Sequence, residues 1–148
     1  MFLAFIMDVL FLTMSYFDLG FVTEHVAEAA ALADRGYNYA NPSLGNPLTT
    51  QGMQSICEDL QSLTAIPLLN MSDTSFTVED QANTGGGYTC SDGARIIASS
   101  ASSQPLMIVV KSSSYHSFYF FRMIGPVSMA SEYSVNKGAY NYVAPPSF

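Results

Sequence analysis

A 22-residue run from Met1 to Val22 carries only two charges, Asp8 and Asp18, and constrains this chain more than any other feature. About 20 helical residues cross the hydrocarbon core of a bilayer, so the run is long enough to span one. No lysine or arginine precedes Arg35, whereas five acids do. A lone membrane anchor normally carries flanking basic residues that set its orientation, and Met1-Phe2-Leu3 offers none. Each aspartate at mid-membrane costs roughly 2.5–3.5 kcal/mol on insertion scales. An acid in such a place is by default functional and paired. Both aspartates are therefore expected in a helix that passes through a membrane and then packs against copies of itself.

A secretory signal peptide has a basic start, a shorter apolar core and a small-residue cleavage site. Here the basic start is missing and Asp8 interrupts the core. Ala31-Leu32-Ala33 imitates a cleavage site, but Glu24 and Glu28 precede it. The segment is expected to be retained. Removal of a basic leader would leave such a bare start, with Met1 as a processed amino terminus.

The 148 residues suit one domain, or a helical stalk (1–40) with one head (41–148). Only 11% of residues are charged, well below the roughly 25% of ordinary soluble domains, so much of the surface must be neutral. A surface of Ser, Thr, Asn, Gly and Tyr suits a secreted or assembled protein. The net charge of −7 and the lack of any basic stripe exclude nucleic-acid binding, which needs clustered Lys and Arg. Cys57 and Cys90 form one disulfide if the chain is exported, and are two buried thiols otherwise. The bridge would close a loop of about 34 residues and stabilise by roughly 3–4 kcal/mol in the chain-entropy model. With no CxxC and no Cys/His cluster, zinc has no support.

Residues 2–40 read as one long helix, about 57 Å at 1.5 Å per residue. Its first half is apolar all round, as in buried or membrane helices. Its second half is amphipathic, with Val22, Val26, Ala29, Ala30 and Ala33 at helical spacing. Asn41-Pro42 stops it. A second helix is predicted from Thr50 to Leu63, with Met53, Ile56, Cys57, Leu60 and Leu63 on one face, and Pro67 beyond it. The remainder reads as an antiparallel sheet. Phe76 and Val78 alternate with Thr77 and Glu79, strands are expected at 95–98, 106–111 and 127–135, and Tyr115 to Met123 is aromatic and β-favouring. Gly85-Gly86-Gly87 and the Ser-rich stretches 99–103 and 112–114 are expected as connectors.

Asp18-Leu19-Gly20 and the stretch Ala29-Ala30-Ala31-Leu32-Ala33-Asp34-Arg35-Gly36-Tyr37, followed by a Cys-containing helix and a β-rich end, resemble the TadE-like minor pilins of tight-adherence (Tad) pili, and more loosely type IV pilins. The resemblance covers most of the chain as a pattern. It implies export through the inner membrane and work in or beside an extracellular filament. Two departures stand out. Type IV pilins carry a glutamate at the fifth mature position, where this chain has Phe5 and its nearest acid is Asp8. Phe21 replaces the basic residue that often follows the glycine in TadE-like chains.

Asp8 is the candidate for pairing with the Met1 amine of another copy, which would fix the axial register; Asp18 is a weaker one. Polar groups can specify register, and removing one partner of a buried pair costs roughly 3–5 kcal/mol. Phe2, Phe5 and Ile6 complete the expected assembly set. Glu24, His25 and Glu28 could recruit a metal but read better as a solvated stripe. Neither Gly-x-Ser-x-Gly nor a phosphate loop occurs, so neither an enzyme nor a cofactor is expected. The aromatic run 115–121 reads as sheet core, the tail 140–146 could dock onto a neighbour, and Asn70-Met71-Ser72 fits an N-glycosylation sequon.

The reading that unites these features is an α+β pilin-like lollipop. A long N-terminal hydrophobic helix bears a small head of one helix plus antiparallel β-sheet. The chain would be a structural subunit, polymerising with itself or with other pilins after a membrane-anchored stage. Two rivals are a membrane-anchored exported binding module that never polymerises, and an exported enzyme.

Overall fold

The computed structural model describes residues 1–39, 41, 43, 45–63, 69–83, 85–103, 107–116, 123, 125 and 127–136. The side chains of Tyr115 and His116 lie outside this set, as do residues 117–122 of the aromatic run and the tail 140–146. The fold is the expected α+β lollipop: a long apolar N-terminal helix, one further helix and a five-stranded sheet.

Helix α1 runs Phe2–Leu32 and α2 runs Thr50–Ser62; a 3₁₀ turn spans Met71–Asp73. Strands β1 (Ser75–Glu79), β2 (Gly87–Thr89), β3 (Arg95–Ser99), β4 (Met107–His116) and β5 (Val127–Asn136) follow. They lie in the order β2-β3-β1-β4-β5. Every neighbouring pair is antiparallel except β1 and β3, which run parallel. The sheet is thus mixed rather than wholly antiparallel. The chain leaves β1, forms β2 on the outside of β3 and re-enters beside β1 in the same direction.

Alternation along each strand sets two faces. Phe76 and Val78 of β1, Ile96 and Ala98 of β3, and Ile108 and Val110 of β4 are buried, whereas Ile97 and Lys111 on the other face are exposed. Both helices contribute to the core with this buried face. Val22, Val26, Ala27 and Ala30 of α1 join Met53, Ile56, Cys57 and Leu60 of α2 in one cluster. Thr49 caps α2 by accepting from the Gly52 amide at 3.0 Å, satisfying one of the first-turn donors.

The disulfide is present. Cys57 and Cys90 are bridged with Cα atoms 5.4 Å apart, tying α2 to the tight turn between β2 and β3. In that turn Cys90 N–H donates to Ala94 at 2.7 Å and Gly93 N–H to Cys90 at 2.9 Å.

Three local expectations change. Helix α1 ends at Leu32, eight residues short of residue 40. Ala33 turns extended, with ψ 154°, because Asp34 and Arg35 are drawn into contacts with the segment before α2. Gly36 N–H donates to Pro47 and Thr49 N–H to Asp34. Ser112–Ser114 is not a connector but the middle of β4, where Ser112 and Ser114 are buried with hydroxyl partners. Gly87 opens β2 instead of closing a glycine turn, since β3 supplies its ladder partners.

Candidate assembly surface

Helix α1 is built inside out over its first two-thirds. Its buried stripe holds Asp8 and Ser15 as well as Leu19, Val22 and Val26. These positions follow helical spacing. One exposed row is Leu3, Met7, Leu10, Met14, Phe17 and Phe21, each 41–73% exposed; Phe2, Phe5, Ile6, Val9 and Tyr16, off that row, are 38–79% exposed as well. The row's spacing of four, three, four, three and four residues is that of a helix–helix seam. Glu24 and Glu28 occupy the next two places and end it. The first ten residues are exposed on every side except at Asp8, in keeping with a sequence that is apolar all round, and this row runs through that surface.

Among the expected assembly residues, Met1, Phe2, Phe5 and Ile6 are all exposed, at 99%, 79%, 41% and 38%. Asp18 is half-buried. Asp8 has no exposed surface in the single chain. Its carboxylate can reach another copy only if this part of α1 leaves its packing.

Polar pairing holds α1 to the sheet. Thr23 Oγ1 donates to the Leu19 carbonyl at 2.5 Å and lies 2.6 Å from Ser112 Oγ on β4. Further along β5, the Glu24 carboxylate beside Tyr133 raises the phenol above its ordinary range, by its charge first and by hydrogen bonding second. On the open face of the sheet Lys111 Nζ donates to Glu79 Oε2 at 2.9 Å. That hydrogen bond, then the Glu79 charge, raises the lysine.

The junction of helix and head is a buried ion pair. Arg35 Nη1 lies 2.6 Å from Asp80 Oδ2 with both side chains almost wholly out of water. Arg35 also donates to the carbonyls of Ala30 at 2.8 Å and Asn46 at 3.2 Å. The Ala30 contact satisfies one of the carbonyls that a helix leaves open at its carboxyl end. Asp80 Oδ1 accepts from the amides of Ala82 and Asn83, and Asn83 Oδ1 accepts from Leu48 N–H. Composition gave this pair no prominence. The hint was that Arg35 is the first base after 34 residues without one.

Among the described residues, no group of three His, Cys, Asp or Glu side chains converges as a metal site would require. Asn70, the sequon asparagine, is exposed and caps the 3₁₀ turn, accepting from Ser72 N–H at 3.2 Å. A groove of about 440 Å³ lies between Leu12, Thr13 and Tyr16 of α1 and Val127–Ala130 of β5. No family model, curated protein or solved structure matches this chain.

Proposed function

We propose that the chain is a structural subunit of an extracellular pilus-type filament, resembling the TadE-like pilins. It polymerises through α1, with itself or with other pilins, and displays its head for surface contact. The observation that carries this reading is the exposed seam from Leu3 to Phe21. A contiguous apolar surface of this size calls for a lipid or protein partner. One row of that surface, from Leu3 to Phe21, has the four-three spacing that suits another helix. Asp8 and Asp18 disfavour permanent residence in a bilayer, which fits a membrane stage followed by assembly. The neutral, Ser-rich head fits the outside of a filament, and the disulfide fits an oxidising compartment.

A second reading is a membrane-anchored binding module that does not polymerise. It rests on the length and composition of α1, which suffice to cross a membrane. Electron microscopy of the detergent-free surface fraction separates the two. Filaments labelled by an antibody against the head support the subunit reading. The chain present in membranes and absent from every filament would sink it.

A further inference from the structure

We infer that two copies of this chain pair antiparallel along the outer edge of β5, about a two-fold axis at Ser131. The sequence of this strand is unusual in its lack of guarding residues. Strand β5 has ten residues in unbroken register with β4, from Val127 opposite His116 to Asn136 opposite Met107. It is the last strand of the sheet among the described residues. Natural edges are normally guarded by proline, lysine, a bulge or shortness. Val-Ser-Met-Ala-Ser-Glu-Tyr-Ser-Val-Asn has none of these and one charge, Glu132.

The sequence of β5 is self-complementary about its middle. Centring the pair on Ser131 sets Val127 opposite Val135 and Met129 opposite Tyr133 on the face toward α1. On the other face it sets Ser128 opposite Ser134 and Ala130 opposite Glu132. Apolar residues meet apolar ones, and no carboxylate stands directly opposite its twin, an arrangement that would be destabilising. Lys111, the ladder partner of Glu132 on β4, offsets the two carboxylates that approach diagonally. A register shifted by one residue exchanges the two faces of the incoming strand and loses both apolar matches.

The groove beside β5 identifies the occupant further. Its floor is Val127–Ala130 and its wall is Leu12, Thr13 and Tyr16. In the two-fold pair, Tyr133 and Val135 of the second copy arrive beside Met129 and Val127 at this apolar wall. Tyr133 is 36% exposed in the single chain and becomes covered. The axis is perpendicular to the sheet, so both α1 helices lie on one face of a continuous ten-stranded sheet. Main-chain bonds supply affinity and alternate side chains supply specificity, as in strand addition generally.

This edge pairing does not depend on α1 polymerising, and its test leaves the seam untouched. The full chain is placed in nonionic detergent and its mass followed by sedimentation against protein concentration. Hydrogen exchange of the β5 amides is read on the same samples. The parent is expected to be a concentration-dependent dimer with slow exchange along β5. Ser128 and Ser134 are exposed, so charges there leave the core intact. Ser128→Lys with Ser134→Lys sets like charges across both ends of the pair and is expected to weaken the dimer about tenfold. Ser128→Glu with Ser134→Lys sets opposite charges at the same places and should restore it. Equal effects of the two double variants would overturn the proposed register. A monomer with slow exchange along β5 would mean that the chain's own residues cover the edge; a monomer with fast exchange would mean that nothing does. Either result overturns the pairing.

Discussion

Arg35 Nη1 and Asp80 Oδ2 sit 2.6 Å apart, with their side chains 2% and 0% exposed. One residue closes the end of α1 and the other follows β1, so the contact fixes the helix to the head. Asp80→Asn removes the countercharge while keeping the size, leaving a buried guanidinium unneutralised. Breaking a buried pair in this way costs about 3–5 kcal/mol. Urea unfolding followed by circular dichroism should show that loss. A change of under 1 kcal/mol would mean that water or a neighbour already compensates Arg35.

The Cys57–Cys90 bridge spans 33 positions of sequence. Opening it restores the entropy of that loop to the unfolded chain, worth about 3–4 kcal/mol in the chain-entropy model. Cys57→Ser with Cys90→Ser, or reduction of the parent, should lower the melting temperature clearly. Equal melting temperatures in the oxidised and reduced parent would assign the stability of the head to its core alone.

Two helical glycines should answer oppositely to alanine. At Gly52 a Cβ would overlap the Asp34 carbonyl oxygen, which is backbone and cannot swing aside. Gly52→Ala should therefore cost about 1–3 kcal/mol, the usual range for overpacking. At Gly20 the nearest atom to a Cβ is Ser131 Oγ at 3.9 Å, an ordinary contact. Gly20→Ala should stabilise by up to about 1 kcal/mol, the helix-propensity difference. Thermal denaturation of the two variants side by side checks both signs.

Tyr133 provides a pH dependence. Its phenol is raised by Glu24, so the folded chain holds that proton more tightly than the unfolded one does. The contribution to stability is complete below the ordinary tyrosine range and is lost as pH rises through the higher folded value. Phenolate absorbance should show one tyrosine titrating late in the parent. Glu24→Gln should bring it back toward the ordinary range. A parent curve unchanged by that substitution would remove Glu24 as the cause.

The chain's periodic signals were legible in sequence where one face meets the core. Met53, Ile56, Cys57 and Leu60 announced α2, and Phe76 and Val78 announced β1. Signals failed where a distant residue decides. The end of α1 depends on Arg35 reaching Asp80, 45 residues away, and local helix propensity carries no trace of that. Ser112 and Ser114 look like loop residues until Thr23 and Thr74 are seen opposite them. Three-residue β2 exists because β3 pairs with it. Asp8 and Ser15 turn inward while Leu10 and Phe17 turn outward, so hydropathy alone points the first half of α1 the wrong way.

That inversion yields the sharpest test of assembly. Phe17 and Phe21 are 69% and 58% exposed, so polar replacements there remove little from the folded subunit. Surface substitutions of this kind usually stay within about 0.5 kcal/mol. In a helix–helix seam the same side chains are buried, and truncating a buried aromatic costs about 3–5 kcal/mol. Phe17→Ser with Phe21→Ser should therefore leave the melting temperature of the subunit nearly unchanged while abolishing filaments. The counterpart is Glu24→Gln with Glu28→Gln, which lies beyond the seam and should leave filaments intact. Normal filament yield from the double Phe variant would exclude this face of α1 from the contact. A collapse in subunit stability would show instead that the face packs against its own head.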